Sequence, residues 1–284
     1  MTFAMNRSKL QSLLSLLDDP DDNIAVTVMS ELLKNESELM ALLAELQESD
    51  NKVLRKRVQQ LETIITLRKR RREFAKKITP PVKVVEALTE LHLLYHERDV
   101  PEVVYSMVEM FVRIACNNNI ETIDDIGTFM ARNNFTMTMP EDKPVPEDYC
   151  IGSVLNDRMG SDIMLCLLAK LIGVHAKIKV ALVRFDDMFA VCTPDGRFIA
   201  PANNWVPEEM NGQALDIRWN DSGNLLKYIS LMLFLHTVSS DNFHYVHTVA
   251  QALCGGDDDF STDFLPYPYN GKKNKKLKER ESLL

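Results

Sequence analysis

Apolar residues recur at three- and four-residue spacing through most of this chain, and that period predicts helices. Leu10, Leu13, Leu14 and Leu17 share one helical face. Asp18-Asp19-Pro20-Asp21-Asp22 breaks it and supplies capping acceptors for a second helix, which carries Ile24, Val28, Met29, Leu32 and Leu33. Leu39, Leu42, Leu43 and Leu46 predict a third helix, and Val53, Leu54, Val58, Leu61 and Ile65 a fourth. Beyond Thr79-Pro80-Pro81, helices are expected over Val84 to Tyr95, Val103 to Ile114 and Ile120 to Met130. The proline-bearing stretch Thr136 to Asp148 reads as a surface loop. A short helix near Ile151 to Leu155 precedes a longer one opened by Ser161 or Asp162 and closed at Gly173. The period then changes. Ala176 to Phe185, Met188 to Thr193 and Arg197 to Ala200 read as strands, the last two joined by a Pro194-Asp195-Gly196 turn. Two helices, Leu225 to Leu235 and Phe243 to Leu253, close the pattern, and Lys272 to Leu284 reads as a fraying tail. The expected class is α+β, mostly helical: a helix packed on a small antiparallel sheet, flanked by helices.

A weak repeat lies in the first part. Asp22-Asn23-Ile24-Ala25 and Asn51-Lys52-Val53-Leu54 each open a helix, and Leu32 then corresponds to Leu61. The pattern resembles a pair of degenerate HEAT units, in which each helix pair buries its apolar face only against a neighbour. The expected division is a HEAT-like helical region over 1–78, a second domain over 79–256 that ends in a C-terminal helix pair, and a charged tail over 257–284.

Composition narrows the function classes. The chain has 284 residues, 45% hydrophobic and 26% charged, as an ordinary globule does. No apolar run approaches the ~18 residues a spanning helix needs; Ile229 to Leu235 is far short of it. Met1 to Arg7 lacks the apolar core of a secretion signal. Five widely spaced cysteines without a CxxC argue against a disulfide framework or a cysteine zinc site. A cytoplasmic protein without cofactor or metal is therefore expected. The net charge of −8 disfavours nonspecific nucleic-acid binding. The fourteen methionines read as core filler.

The segments that carry the most chemical information are Gly160-Ser161-Asp162-Ile163-Met164-Leu165, Asp187-Met188-Phe189 and Phe198-Ile199-Ala200-Pro201-Ala202-Asn203. Their order and flanks resemble the active-site segments of the SirB-type transglutaminase-like family. Tyr149 to Leu155 is similar to that family's lead-in, and Leu13 to Ile65 to its helical N-terminal part. The resemblance implies a transglutaminase-like core with a nucleophile, a histidine and an aspartate at three positions. Here those positions hold Met164, Met188 and Ala200. The segment from Gly160 to Gly173 is also about four residues, one helical turn, shorter than the family pattern. A thioether cannot ionise and a methyl cannot orient a base, so no thiol chemistry is expected. The resemblance further implies that the three positions lie together.

Substitutes are scarce. Cys166 is rotated about 200° from Met164 on the same helix and reads as a buried, inert thiol. Cys192 has no histidine beside it on its strand, His175 reads as a helix-end residue, and Asp186 and Asp187 as a solvated turn. His236, His244 and His247, with Asp241 nearby, stand out as the histidine cluster, expected on a helix surface. Dense positive charge over Leu67 to Lys77 offers Arg68, Arg71, Arg72 and Lys76 as contacts for an acidic partner. The function expected is a non-catalytic protein-interaction scaffold or regulatory pseudoenzyme. The alternatives are a hydrolase or transferase of altered chemistry in the degenerate cleft, and a nucleic-acid or phosphate binder using the basic helix 68–77.

Overall fold

The computed structural model describes residues 7–77, 83–138, 145–185, 187–210 and 216–239. It is mostly helical with a small sheet. Residues up to Lys69 form one compact unit and residues from Arg70 a second.

The first unit contains α1 (Arg7–Leu14), α2 (Asp22–Leu32), α3 (Glu36–Leu46) and the first part of α4 (Lys52–Lys77). Asp21 caps α2 by accepting from the Asn23 backbone at 2.9 Å. Asn51 does the same for α4, accepting from Val53 and Leu54, while its amide donates to Asp18. The two repeat-related leucines, Leu32 and Leu61, are both fully buried, with Leu10, Leu17, Leu39, Leu43 and Val58 around them.

The compact division falls inside α4, upstream of the Thr79-Pro80-Pro81 joint expected from sequence. The reason is visible on the helix itself. Phe74 is fully buried in the second unit's core, and the basic residues around it hold α5 (Val84–Tyr95). Lys77 pairs with Glu90 at 2.9 Å, with both side chains largely out of solvent. Arg70 donates to the carbonyl of Leu93, in the last turn of α5, at 2.9 Å and to that of Glu97, just past its end, at 2.8 Å. The Leu93 contact completes a helix-end carbonyl that would otherwise lack a donor.

After α5 come α6 (Pro101–Cys116), opened by Pro101, and α7 (Ile123–Arg132), opened by a Thr122/Asp125 capping box. The expected surface loop contains a short strand, β1 (Thr136–Met137), paired in parallel with β2 (Met159–Gly160). Between them lie a 3-10 turn over Pro146–Tyr149 and α8 (Ile151–Asp157). The central helix, α9 (Asp162–His175), is buried along most of its length.

α9 packs on an antiparallel meander of β3 (Ala181–Phe185), β4 (Met188–Cys192), β5 (Arg197–Ile199) and β6 (Glu208–Glu209). The Pro194-Asp195-Gly196 turn joins β4 to β5, with Gly196 at φ +89°, a conformation that suits a residue without Cβ. β3 is shorter than expected: residues 176–180 are not strand. The exposed Glu208 and Glu209 place charge on the sheet edge, which discourages pairing with other chains. α10 (Ser222–Ser239) covers the expected penultimate helix. The second helix of the expected terminal pair, Phe243 to Leu253, and the tail over 257–284 lie outside the described residues.

Candidate functional site

Alternation along the strands decides what faces α9. Leu182, Phe189, Val191 and Ile199 belong to the core that contains α9. Val183, Phe185, Ala190, Cys192, Phe198 and Ala200 form a separate cluster, with Met188 packed against it. Neighbouring residues on a strand point to opposite faces, so the two clusters lie on the two sides of the sheet. Met164 is fully buried on the α9 side, whereas Met188 and Ala200 point away from it. The structure therefore brings two of the three positions together and separates the third, correcting the expectation that all three converge. A shift of one residue along a strand reverses the face a side chain occupies. Among the strand residues presented to α9 are Phe189 and Ile199, whose side chains are hydrocarbon.

The α9–β4 junction is apolar except for Asp162. Its carboxylate accepts from the Ile163 backbone at 2.7 Å and from the Phe189 backbone at 3.2 Å, tying the helix start to the strand. Burial pushes the carboxyl above its ordinary range, although the backbone hydrogen bonds pull the other way. Phe189 packs on Trp219 and Tyr228 at 5.3 and 5.5 Å between ring centroids, and the Arg184 guanidinium lies 5.4 Å from its ring centre. Cys166 is fully buried and its thiol points at the Phe189 carbonyl, 3.3 Å away. Burial pushes its thiol well above the usual range, as it raises Cys192.

The remaining sequence candidates are dispersed. Asp187 is 97% exposed, has φ +62° and pairs with Arg184, as a solvated turn does. His175 is exposed at the end of α9. Asp186, Asp241, His244 and His247 lie outside the described residues. His236 is a correction. It stacks on Tyr149 at 5.1 Å and 12°, half-buried rather than on an open helix surface. In the basic run, Arg68 donates to the Leu33 carbonyl at 3.2 Å, and Lys76 pairs with Glu73 at 2.8 Å. Arg71 and Arg72 also have partners. Much of this charge completes the fold.

The chemistry that sequence reading missed sits where α5 meets α8. His92, in the last turn of α5, and His96, the residue that caps its end, have ring centres 4.6 Å apart. They correct the reading of His236, His244 and His247 as the one histidine cluster. Cys150, the residue preceding α8, joins them: one ring nitrogen of each histidine and the Cys150 sulfur all lie within 4.8 Å of one another. His92 is 2% exposed and Cys150 fully buried; His96 is partly exposed. His92 Nε2 is 2.9 Å from an Asp99 carboxylate oxygen, and its Nδ1 is buried without a hydrogen-bond partner. His96 Nε2 is 3.0 Å from the Ser153 hydroxyl. Gly152 allows the approach, because a Cβ there would sit 2.6 Å from His92 Cε1. Arg70, by holding the carbonyls of Leu93 and Glu97, steadies the chain that delivers Asp99.

Cys150, His92 and Asp99 have the residue types of a thiol triad, but their surroundings oppose that chemistry. Burial raises the Cys150 thiol, and the charges of Glu147, Asp148 and Asp99 raise it further. Burial lowers the His92 ring below the ordinary histidine value, outweighing its Asp99 hydrogen bond. A neutral thiol with no exposed surface is neither activated nor reachable. The i,i+4 histidines were available in the sequence as a signal; their link to Cys150 required the fold. No family model, no curated protein and no solved structure matches this chain.

Proposed function

We propose that the chain is a non-catalytic interaction protein, a degenerate relative of the SirB-type transglutaminase-like proteins with a HEAT-like N-terminal region. The observation that supports this reading is the largely apolar, buried packing of the sheet against α9. Phe189 and Ile199 face the helix, Met164 is fully buried beneath it, and Cys166 is held as a buried neutral thiol. The buried side chains of this junction offer no activated nucleophile. The protein works in a reducing compartment, consistent with free thiols at Cys116, Cys150, Cys166 and Cys192, and cytoplasmic placement belongs to the same reading. No helix among the described residues is long and apolar enough to cross a membrane.

Partner recognition falls to the outward charge of α4 in this reading. Of the four expected contacts, Arg72 and Lys76 are exposed and Arg68 and Arg71 partly so. An acidic polypeptide is the partner class that fits, and its attraction weakens with salt. The test has two arms. Purified protein is expected to show no transamidation, deamidation or peptidase turnover. Thiol-dependent turnover that disappears in Cys150→Ala, Cys166→Ala or Cys192→Ala overturns the non-catalytic reading. Reversal of Arg72 and Lys76 to Glu is expected to weaken binding of a polyglutamate probe and flatten its salt dependence. Unchanged binding removes α4 as the contact.

A further inference from the structure

We propose that His92, His96 and Cys150 form a zinc site, with Asp99 as the outer partner that fixes the His92 ring. Four observations lead there, none of which depends on the reading of α9 or α4.

The donors have the right chemistry and are already gathered. Two imidazoles and a thiolate suit zinc, and they disfavour magnesium and calcium, which take oxygen ligands. Tetrahedral zinc, with bonds of about 2.0–2.3 Å, sets its ligand atoms roughly 3.3–3.8 Å apart. The three donors lie within 4.8 Å, so small side-chain rotations close the set. The fourth position falls to a water.

Each histidine has its Nε2 engaged by an outer partner. A metal-bound histidine directs its other ring nitrogen to a carboxylate, hydroxyl or carbonyl. His92 Nε2 meets Asp99, and the nitrogen left over, Nδ1, is buried and without a partner. A buried nitrogen in that state is costly unless something occupies its lone pair. His96 Nε2 likewise meets Ser153, which leaves its Nδ1 for the ion.

The charge around the cluster favours a cation. Glu147 and Asp148 lie three and two residues before Cys150 in the chain, and the Asp99 carboxylate lies 2.9 Å from the His92 ring, so acidic groups stand close to the cluster. That field opposes a bare thiolate and compensates once a divalent ion is present. The same field separates this site from a catalytic thiol, which needs positive neighbours.

The geometry admits the ion and explains a glycine. His96 is partly exposed and Asp99 is 51% exposed, so the cluster reaches solvent on that side while Cys150 and His92 remain buried. Gly152 sits where any side chain would meet the His92 ring. Bound zinc would join α5 to the start of α8, as a structural clip does.

The test uses the full chain, stripped with a chelator and titrated with zinc against a chromophoric competitor. About one equivalent is expected to bind, with magnesium in large excess failing to displace it. Cys150→Ala and His96→Ala are expected to lose that uptake, and Asp99→Asn to weaken it about ten- to hundredfold. Cobalt(II) is expected to give the sulfur-to-metal absorption of a thiolate ligand, and Cys150→Ala to abolish it. A His244→Ala/His247→Ala protein is expected to keep both signals. Folded wild-type protein that takes up no zinc overturns the site. So does uptake unchanged in Cys150→Ala, or lost in His244→Ala/His247→Ala. Should Cys150→Ala or His96→Ala fail to fold, the cobalt absorption of the wild type decides alone, because it reports sulfur ligation directly; its absence overturns the proposal.

Discussion

The α9–β4 and α5–α8 junctions lie in the same unit, and each sets a buried helix against the segment that crosses it. They differ in what was left inside. The first holds Phe189, Ile199, Met164 and aromatic neighbours, with a single carboxylate bridging two backbone donors. The second holds two imidazoles, a thiol and a carboxylate at its margin. Motif likeness points to the first junction and chemistry points to the second. A motif likeness without reactive groups says little about binding; two imidazoles and a thiol gathered within 4.8 Å are a donor set that a metal ion takes.

The largest test of the contrast is at the sheet. Phe189→Ala removes a fully buried ring with aromatic partners and is expected to cost about 3–5 kcal/mol of stability. Met188→Ala, on the opposite face and only partly buried, is expected to cost less, about 1 kcal/mol. Denaturant midpoints of the two variants check this. Equal losses would mean that the face assignment of β4 is wrong.

That assignment also marks how far the sequence could be read. The helices of the first unit were legible because one apolar stripe per helix suffices to place it. Leu32 and Leu61, matched by the weak repeat, are both fully buried. The turn at Pro194-Asp195-Gly196 was legible because the special backbone conformation requires a special residue. The facing of β4 was not legible. Met188, Phe189, Ala190 and Val191 are all apolar, so hydrophobicity alone does not show which alternate set meets α9. The basic run was legible only as charge. Charge density was plain, but Arg70 and Lys77 are occupied by α5, and only the fold reveals that. The α5 histidines were legible as a pair at i,i+4 and became a site only when Cys150, distant in sequence, arrived beside them.

At the polar junction, Gly152→Ala is expected to cost about 1–3 kcal/mol, because the new methyl must displace the His92 ring from a packed position. Thermal unfolding of stripped protein reads this directly. A neutral or stabilising Gly152→Ala would show that His92 does not rest on α8.

At the apolar junction a smaller effect discriminates the role of Asp162. Asp162→Ala leaves the Phe189 N–H unmet and is expected to cost about 1–3 kcal/mol. Asp162→Asn keeps an acceptor oxygen and is expected to cost less than about 1 kcal/mol. The raised carboxyl gives a further sign. The folded state holds its proton at pH values where the unfolded chain has released it, so this group's contribution weakens as pH rises through the folded value. Asp162→Asn is therefore expected to be relatively more stable at pH 7 than at pH 4 when compared with the wild type. The opposite trend would mean that the carboxylate is stabilised as an ion and acts as more than a backbone tie.

The smallest effect lies at His236, on the stack with Tyr149. Burial lowers this ring's affinity for a proton, and Asp148 opposes the shift without cancelling it. The unfolded chain therefore binds the proton first as pH falls below the ordinary histidine value of ~6.5. Stability must fall with pH across the window between that value and the folded one, and the loss is complete once both states are protonated. His236→Phe keeps an aromatic ring against Tyr149 and removes the titration. Both proteins contain His92, whose lowered value acts in the same direction and cancels in the difference. Denaturation midpoints compared between pH 8 and pH 5 are therefore expected to fall more steeply for the wild type, with the two curves parallel above ~7. Parallel curves throughout would mean that His236 takes up its proton while still stacked, and that Tyr149 and Asp148 accommodate the charged ring.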